Sequence, residues 1–161
     1  MRIRISEEED FPNQAAMWEA NMERSLRGRK GQAALRELEA ALIALPDKRL
    51  IANDTVSADG AVCSIAALAK HRGYNGNLIL PQMATTDDDW FNENSDKFHD
   101  EYEYEEAVET AMMKVAGDLG IPRMVAFAII YENDDGLGRN PTPEQRYDHM
   151  LRWVQRQLRA A

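Results

Sequence analysis

Apolar residues recur every three or four positions over most of this chain, a period that predicts helices. Ala15, Trp18, Met22 and Leu26 mark such a stripe over residues 12–27, with Pro12 at a favoured first helical position. Leu35, Leu38, Leu42 and Leu45 repeat it in GQAALRELEAALIALP, where alanines raise helix propensity and Pro46 stops the run. Residues 12–45 therefore predict a helical hairpin hinged at Arg27–Lys30. Ser64–Arg72 predicts a short alanine-rich helix closed by Gly73. Tyr104, Val108, Met112, Val115 and Leu119 predict a long helix over about 100–119, ended by Gly120. Tyr147, Met150, Leu151, Val154 and Leu158 predict a last helix. Its opening, Thr142-Pro143-Glu144-Gln145, is a capping box with proline at the first helical position.

Three segments break this period. Arg2–Ser6 alternates charged and apolar residues, as a short half-buried strand does. Arg49–Asn53 and Gly60–Cys63 flank a Ser57-Ala58-Asp59-Gly60 turn and predict a small β-hairpin. Ile121–Asp135 is apolar on nearly every side, the mark of a buried element. The fold class expected is mainly α: one domain over residues 1–161, a bundle of five or six helices with a small β-hairpin element. The alternative is an α+β fold with residues 124–131 as a strand, because their β-branched content suits one.

Charge changes the picture more than composition does. Residues 87–109 hold eleven carboxylates and one base, Lys97, for a net −10, whereas the whole chain of 161 residues carries −9. A field that concentrated steers partners, whereas the same charge spread evenly mainly aids solubility. The acidity also disfavours direct, sequence-independent binding to nucleic acid. No apolar run is long enough to cross a bilayer and the N-terminus has no signal core, so no membrane association is expected. With the single cysteine, Cys63, these features point to a reducing cytoplasm.

Three blocks of the chain carry a family resemblance. MWEANMERSLRGRKGQAALRELEAALIALP (17–46), RLIAN…DGAVCSIAALAKHRG (49–73) and IPRMVAFAIIYENDD…TPEQRYDHMLRWV (121–154) resemble, in wording and in order, small uncharacterised accessory proteins encoded by bacteriophages and prophages. The resemblance spans about two thirds of the chain and leaves out the acidic segment. It implies a setting, the cytoplasm of a bacterial host cell, and an accessory role such as anti-defence or control of host machinery. It implies no activity and no functional residues.

Within the acidic segment, Asp87, Asp88, Asp89, Glu101, Glu105, Glu106 and Glu109 are the candidates for partner binding, with Trp90 and Phe91 as anchors. Carboxylates spaced along a helix and its preceding loop imitate a phosphate backbone, which suits a bacterial host protein with a basic groove. On this reading the protein is a non-catalytic nucleic-acid mimic that uses no cofactor. Two other readings stand beside it. Asp96, His99, Asp100 and Glu103 fall at helical offsets and offer oxygen and imidazole ligands to a divalent cation, which a small metal-dependent enzyme would use. Arg24, Arg27, Arg29, Lys30 and Arg36 form a basic patch that a nucleic-acid-binding regulator would use. Arg152, Arg156 and Arg159 share one side of the last helix and offer the acidic segment of a second copy a homo-oligomeric contact. No catalytic constellation is legible. Cys63 reads as a small buried hydrophobe, and His149 as a helix-surface residue within reach of Asp148 or Glu144.

Overall fold

The computed structural model describes residues 12–76, 78 and 101–160, with side chains from residue 14 in the first block and from 106 in the second. Six helices follow in order: α1 Pro12–Arg27, α2 Arg29–Ala44, α3 Ser64–His71, α4 Glu101–Asp118, α5 Arg123–Asp134 and α6 Pro143–Arg159. The expected strand at Arg2–Ser6 lies outside the described residues, as do residues 79–100.

The predicted hinge contracts to a single residue, Gly28, between α1 and α2. What permits so tight a turn is Gly31. A Cβ there would fall far inside contact distance of the Ser25 carbonyl oxygen and 2.8 Å from that of Leu26, so only glycine lets the start of α2 press on the end of α1. Gln32, buried beside it, donates from Nε2 to the carbonyl oxygens of Leu26 (2.8 Å) and of Gln157 in α6 (3.3 Å), serving two helices with one amide. Leu35, Leu38 and Leu42 are fully buried behind it, each worth about 1.5–3 kcal/mol by removal from water.

α4 ends in a Schellman motif. Ile121 N donates to Ala116 O (3.0 Å) and Gly120 N to Gly117 O (2.9 Å), with Gly120 left-handed at φ 70° and the pair Ile121 and Ala116 both buried. This turns the chain back through Leu119–Pro122, so α5 runs beside α4. α5 is a helix and not the strand of the alternative reading. Val125, Ala126, Ala128, Ile129 and Ile130 are all buried, in contact with α1, α3, α4 and α6. A helix surrounded in this way takes β-branched residues without loss, since packing outweighs intrinsic propensity. The capping box of α6 forms as predicted, Gln145 N donating to Thr142 Oγ1 (3.1 Å) and Thr142 N to Gln145 Oε1 (2.9 Å).

The β-hairpin does not form. Among the described residues β pairing reduces to one antiparallel bridge, Val56 with Val62. The reason is where the backbone groups of residues 50–53 find partners. Leu50 N donates to Pro143 O, Leu50 O accepts from Arg146 and Ile51 O from Asn133, while Asn53 turns left-handed at φ 55°. Helices α5 and α6 thus take bonds that a ladder would have used. One contiguous apolar cluster runs from Leu26 of α1 to Val154 of α6 through every helix between.

Candidate functional site

Three side chains at the end of α5 and the start of α6 organise the polar interior. Asn133 is buried; its Oδ1 accepts from the backbone N (3.1 Å) and hydroxyl (2.7 Å) of Ser64, and its Nδ2 donates to Ile51 O (2.8 Å) and Asp134 Oδ1 (2.7 Å). Arg146, also buried, donates from Nε to Asn133 O (2.9 Å) and from Nη1 to Leu50 O (3.3 Å). Loss of water lowers its pKa while the nearby Asp134 charge raises it. Asp134 receives a further bond from Asn53 N (3.3 Å), again on Oδ1. Burial pushes the Asp134 carboxyl above its ordinary range, and does the same to Asp54 on the facing loop.

Asp134 lies at one end of a groove of about 670 Å³ between α4 and α5. Met112, Met113, Ala126, Phe127 and Ile130 supply its apolar lining, and Glu106, Glu109, Lys114 and Arg123 its charged rim. Because α4 and α5 turn back on each other, Glu106 and Glu109 stand towards the Asp134 end, Lys114 and Arg123 towards the Gly120 turn. Lys114 is paired with Asp118 (3.0 Å), and the Arg123 guanidinium lies over the Phe127 ring, 5.4 Å from its centroid. The Phe127 ring also meets Trp18 edge-on, with centroids 5.5 Å apart.

Of the residues singled out in the sequence, Glu106 is exposed on α4 and Glu109 half-buried at the groove. Glu101 and Glu105 belong to α4, but their side chains, like Asp87, Asp88, Asp89, Trp90 and Phe91, lie outside the described residues. So do the candidate metal ligands Asp96, His99 and Asp100 and the side chain of Glu103. Among the described residues no group of three His, Cys, Asp or Glu side chains is placed to hold a metal ion, and no helix is long and apolar enough to cross a membrane.

The basic patch straddles the α1–α2 turn. Arg24, Arg27, Arg29, Lys30 and Arg36 are all exposed. Arg27 pairs with Glu23 at 2.6 Å, whereas Glu37 turns to Arg72. Arg24 and Arg27 favour the negative end of the α1 dipole, and Arg29 and Lys30 oppose the positive end of α2. Arg152, Arg156 and Arg159 are exposed along α6.

Two expectations about reactive groups meet the structure differently. Cys63 is buried, and its Sγ caps α3 by accepting from Ala66 N at 3.4 Å; burial pushes the thiol up to about 12, so it is not a nucleophile near neutral pH. His149 pairs with neither Asp148 nor Glu144. Its Nε2 lies 2.9 Å from Glu132 Oε2 in a mostly buried contact between α6 and α5, because the face of α6 that carries His149 packs on α5 and does not face water. No family model matches the chain, and neither a curated protein nor a solved structure does.

Proposed function

We propose that the protein is a non-catalytic binding protein that engages a cationic surface of a partner protein through the acidic face led by α4. The observation that carries this reading is the net −10 over residues 87–109, eleven carboxylates with one lysine. The exposed position of Glu106 and the rim position of Glu109 support it, since both leave their charge available to a partner. A bacterial protein whose basic groove holds nucleic acid is the partner whose chemistry fits, and inhibition or redirection of that protein is the consequence. The resemblance to phage and prophage accessory proteins supports the same setting.

The test is affinity capture from bacterial lysate at two salt concentrations, using the wild type and the quadruple variant Glu101→Lys, Glu105→Lys, Glu106→Lys, Glu109→Lys. One dominant host protein, retained less at higher salt and lost in the variant, is the expected result. Equal retention of that protein by the variant removes the acidic face from the mechanism.

A further inference from the structure

The amide of Gln32 marks the point where three helix ends meet. Its Nε2 donates to Leu26 O in the last turn of α1 and to Gln157 O in the last turn of α6, and Gln32 itself stands in the first turn of α2. Six cations lie within three residues of these anchors: Arg24 and Arg27 beside Leu26, Arg29 and Lys30 before Gln32, Arg156 and Arg159 beside Gln157. All six side chains are exposed. The same stretches hold one carboxylate, Glu23, which pairs with Arg27 at 2.6 Å. The α6 pair is remote in sequence from the other four, and the Gln32–Gln157 bond, across 125 positions, joins them into one cationic end. Helix dipoles account for the cations at the ends of α1 and α6, but Arg29 and Lys30 oppose the positive end of α2.

We infer that this cationic end binds the phosphate backbone of a double-stranded nucleic acid, without reading its sequence. Five of the six cations are arginines, whose planar forks grip phosphate oxygens in pairs. Among the described residues the exposed large apolar side chains are Met17, Ile43, Tyr131 and Leu137, and none of them stands at these helix ends. A protein partner draws most of its affinity from aromatic and apolar anchors, and a membrane surface from apolar insertion. A single strand draws on bases stacked against aromatic rings. A duplex backbone needs none of these, because counterion release alone supplies its affinity. The net charge of −9 opposes a polyanion at long range, but at 0.1 M salt such repulsion is screened beyond about 10 Å. The acids Glu106 and Glu109 stand on α4, which packs on α3 and α5. The six cations share no residue with the acidic face, so failure of one proposal leaves the other standing.

The test is fluorescence anisotropy of labelled duplexes of about 20 base pairs, one DNA and one RNA, titrated with the full chain over a range of salt. At least one duplex is expected to bind saturably at low salt. Its log K should fall against log salt by about 0.9 for each phosphate contacted, a total slope steeper than about −3. Two double variants divide the surface: Arg29→Gln with Lys30→Gln, and Arg156→Gln with Arg159→Gln. Each should weaken binding at least about tenfold and make the slope shallower by about 1–2, with an unchanged helical circular dichroism spectrum. No saturable binding to either duplex overturns the inference, and so does an α6 double variant that keeps the wild-type slope. Polyglutamate that displaces the duplex as well as unlabelled duplex does, at equal charge concentration, also overturns it; the cationic end then serves carboxylates of another protein or of a second copy. The salt slope and the competition use the wild type, so they decide even where a variant fails to fold.

Discussion

Asp134 and Asn133 are neighbours in sequence with opposite positions in the energetics. Asn133 is neutral, and all of its hydrogen-bonding partners in this interior cluster are protein groups, so it ties α3, α5 and the 50–53 loop together at little desolvation cost. Asp134 carries a carboxyl in a place where burial disfavours the charged form. Its folded pKa is raised above the ordinary 3.8, so the native state binds the proton more tightly than the unfolded chain. The resulting contribution to stability is fully present below 3.8 and is lost as pH rises through the raised folded value. Asp134→Asn removes that loss. Urea denaturation from acid to neutral pH should show the variant as stable as the wild type at the acid end, and more stable at neutral pH. A wild-type advantage that grows with pH contradicts the assignment.

At the scale of elements, two glycines in helices make opposite predictions under the same substitution. Gly31 sits where α2 leaves α1, and any Cβ meets backbone that cannot move aside. Gly31→Ala should destabilise by roughly 3 kcal/mol, by splaying the hairpin and breaking both Gln32 bonds. Gly117 sits in α4 with open space around it, so Gly117→Ala should stabilise by about 0.5–1 kcal/mol through helix propensity alone. Thermal denaturation of the two variants beside the wild type checks both signs. The sequence shows five of the six helices because their signals are local: leucine spacing, the Thr142–Gln145 box, Gly73 and Gly120; α5, apolar on nearly every side, left a strand open. It does not show which glycine is indispensable, because that depends on what the folded chain brings against it. The 49–63 hairpin failed for the same reason. Its turn is present, Gly60 N donating to Ser57 O (2.9 Å), and Ile51 N still donates to Val62 O (3.0 Å), but Leu50 N, Leu50 O and Ile51 O are taken by Pro143, Arg146 and Asn133.

For the whole molecule, the apolar cluster and the charge define different surfaces. The cluster joins all six helices, and Trp153 and Trp18 sit on two of them. Urea unfolding followed by tryptophan fluorescence and by far-ultraviolet circular dichroism should therefore give coincident transitions; separate midpoints would divide the chain into independent units. Part of the candidate site was visible from residue types alone, because eleven acids in 23 residues need no fold to be counted. The groove was not. Its parts come from Asn53, from Glu106 to Gly117 and from Ile121 to Asp134, and only the turn at Gly120 lays α4 against α5. One clue was present. Arg146 is set four residues before Met150, on the stripe that the apolar residues mark as buried, and a cation at such a position implies polar partners inside. Five of the six helices and the acidity follow from the sequence by itself, since periodicity, capping and charge act over a few residues. The Asn133 network, the inert Cys63, the His149–Glu132 pair and the α4–α5 groove were decided by tertiary structure. Each needs groups distant in sequence to meet, and burial then shapes their hydrogen bonds and shifts the Cys63 and Asp134 pKa values upward.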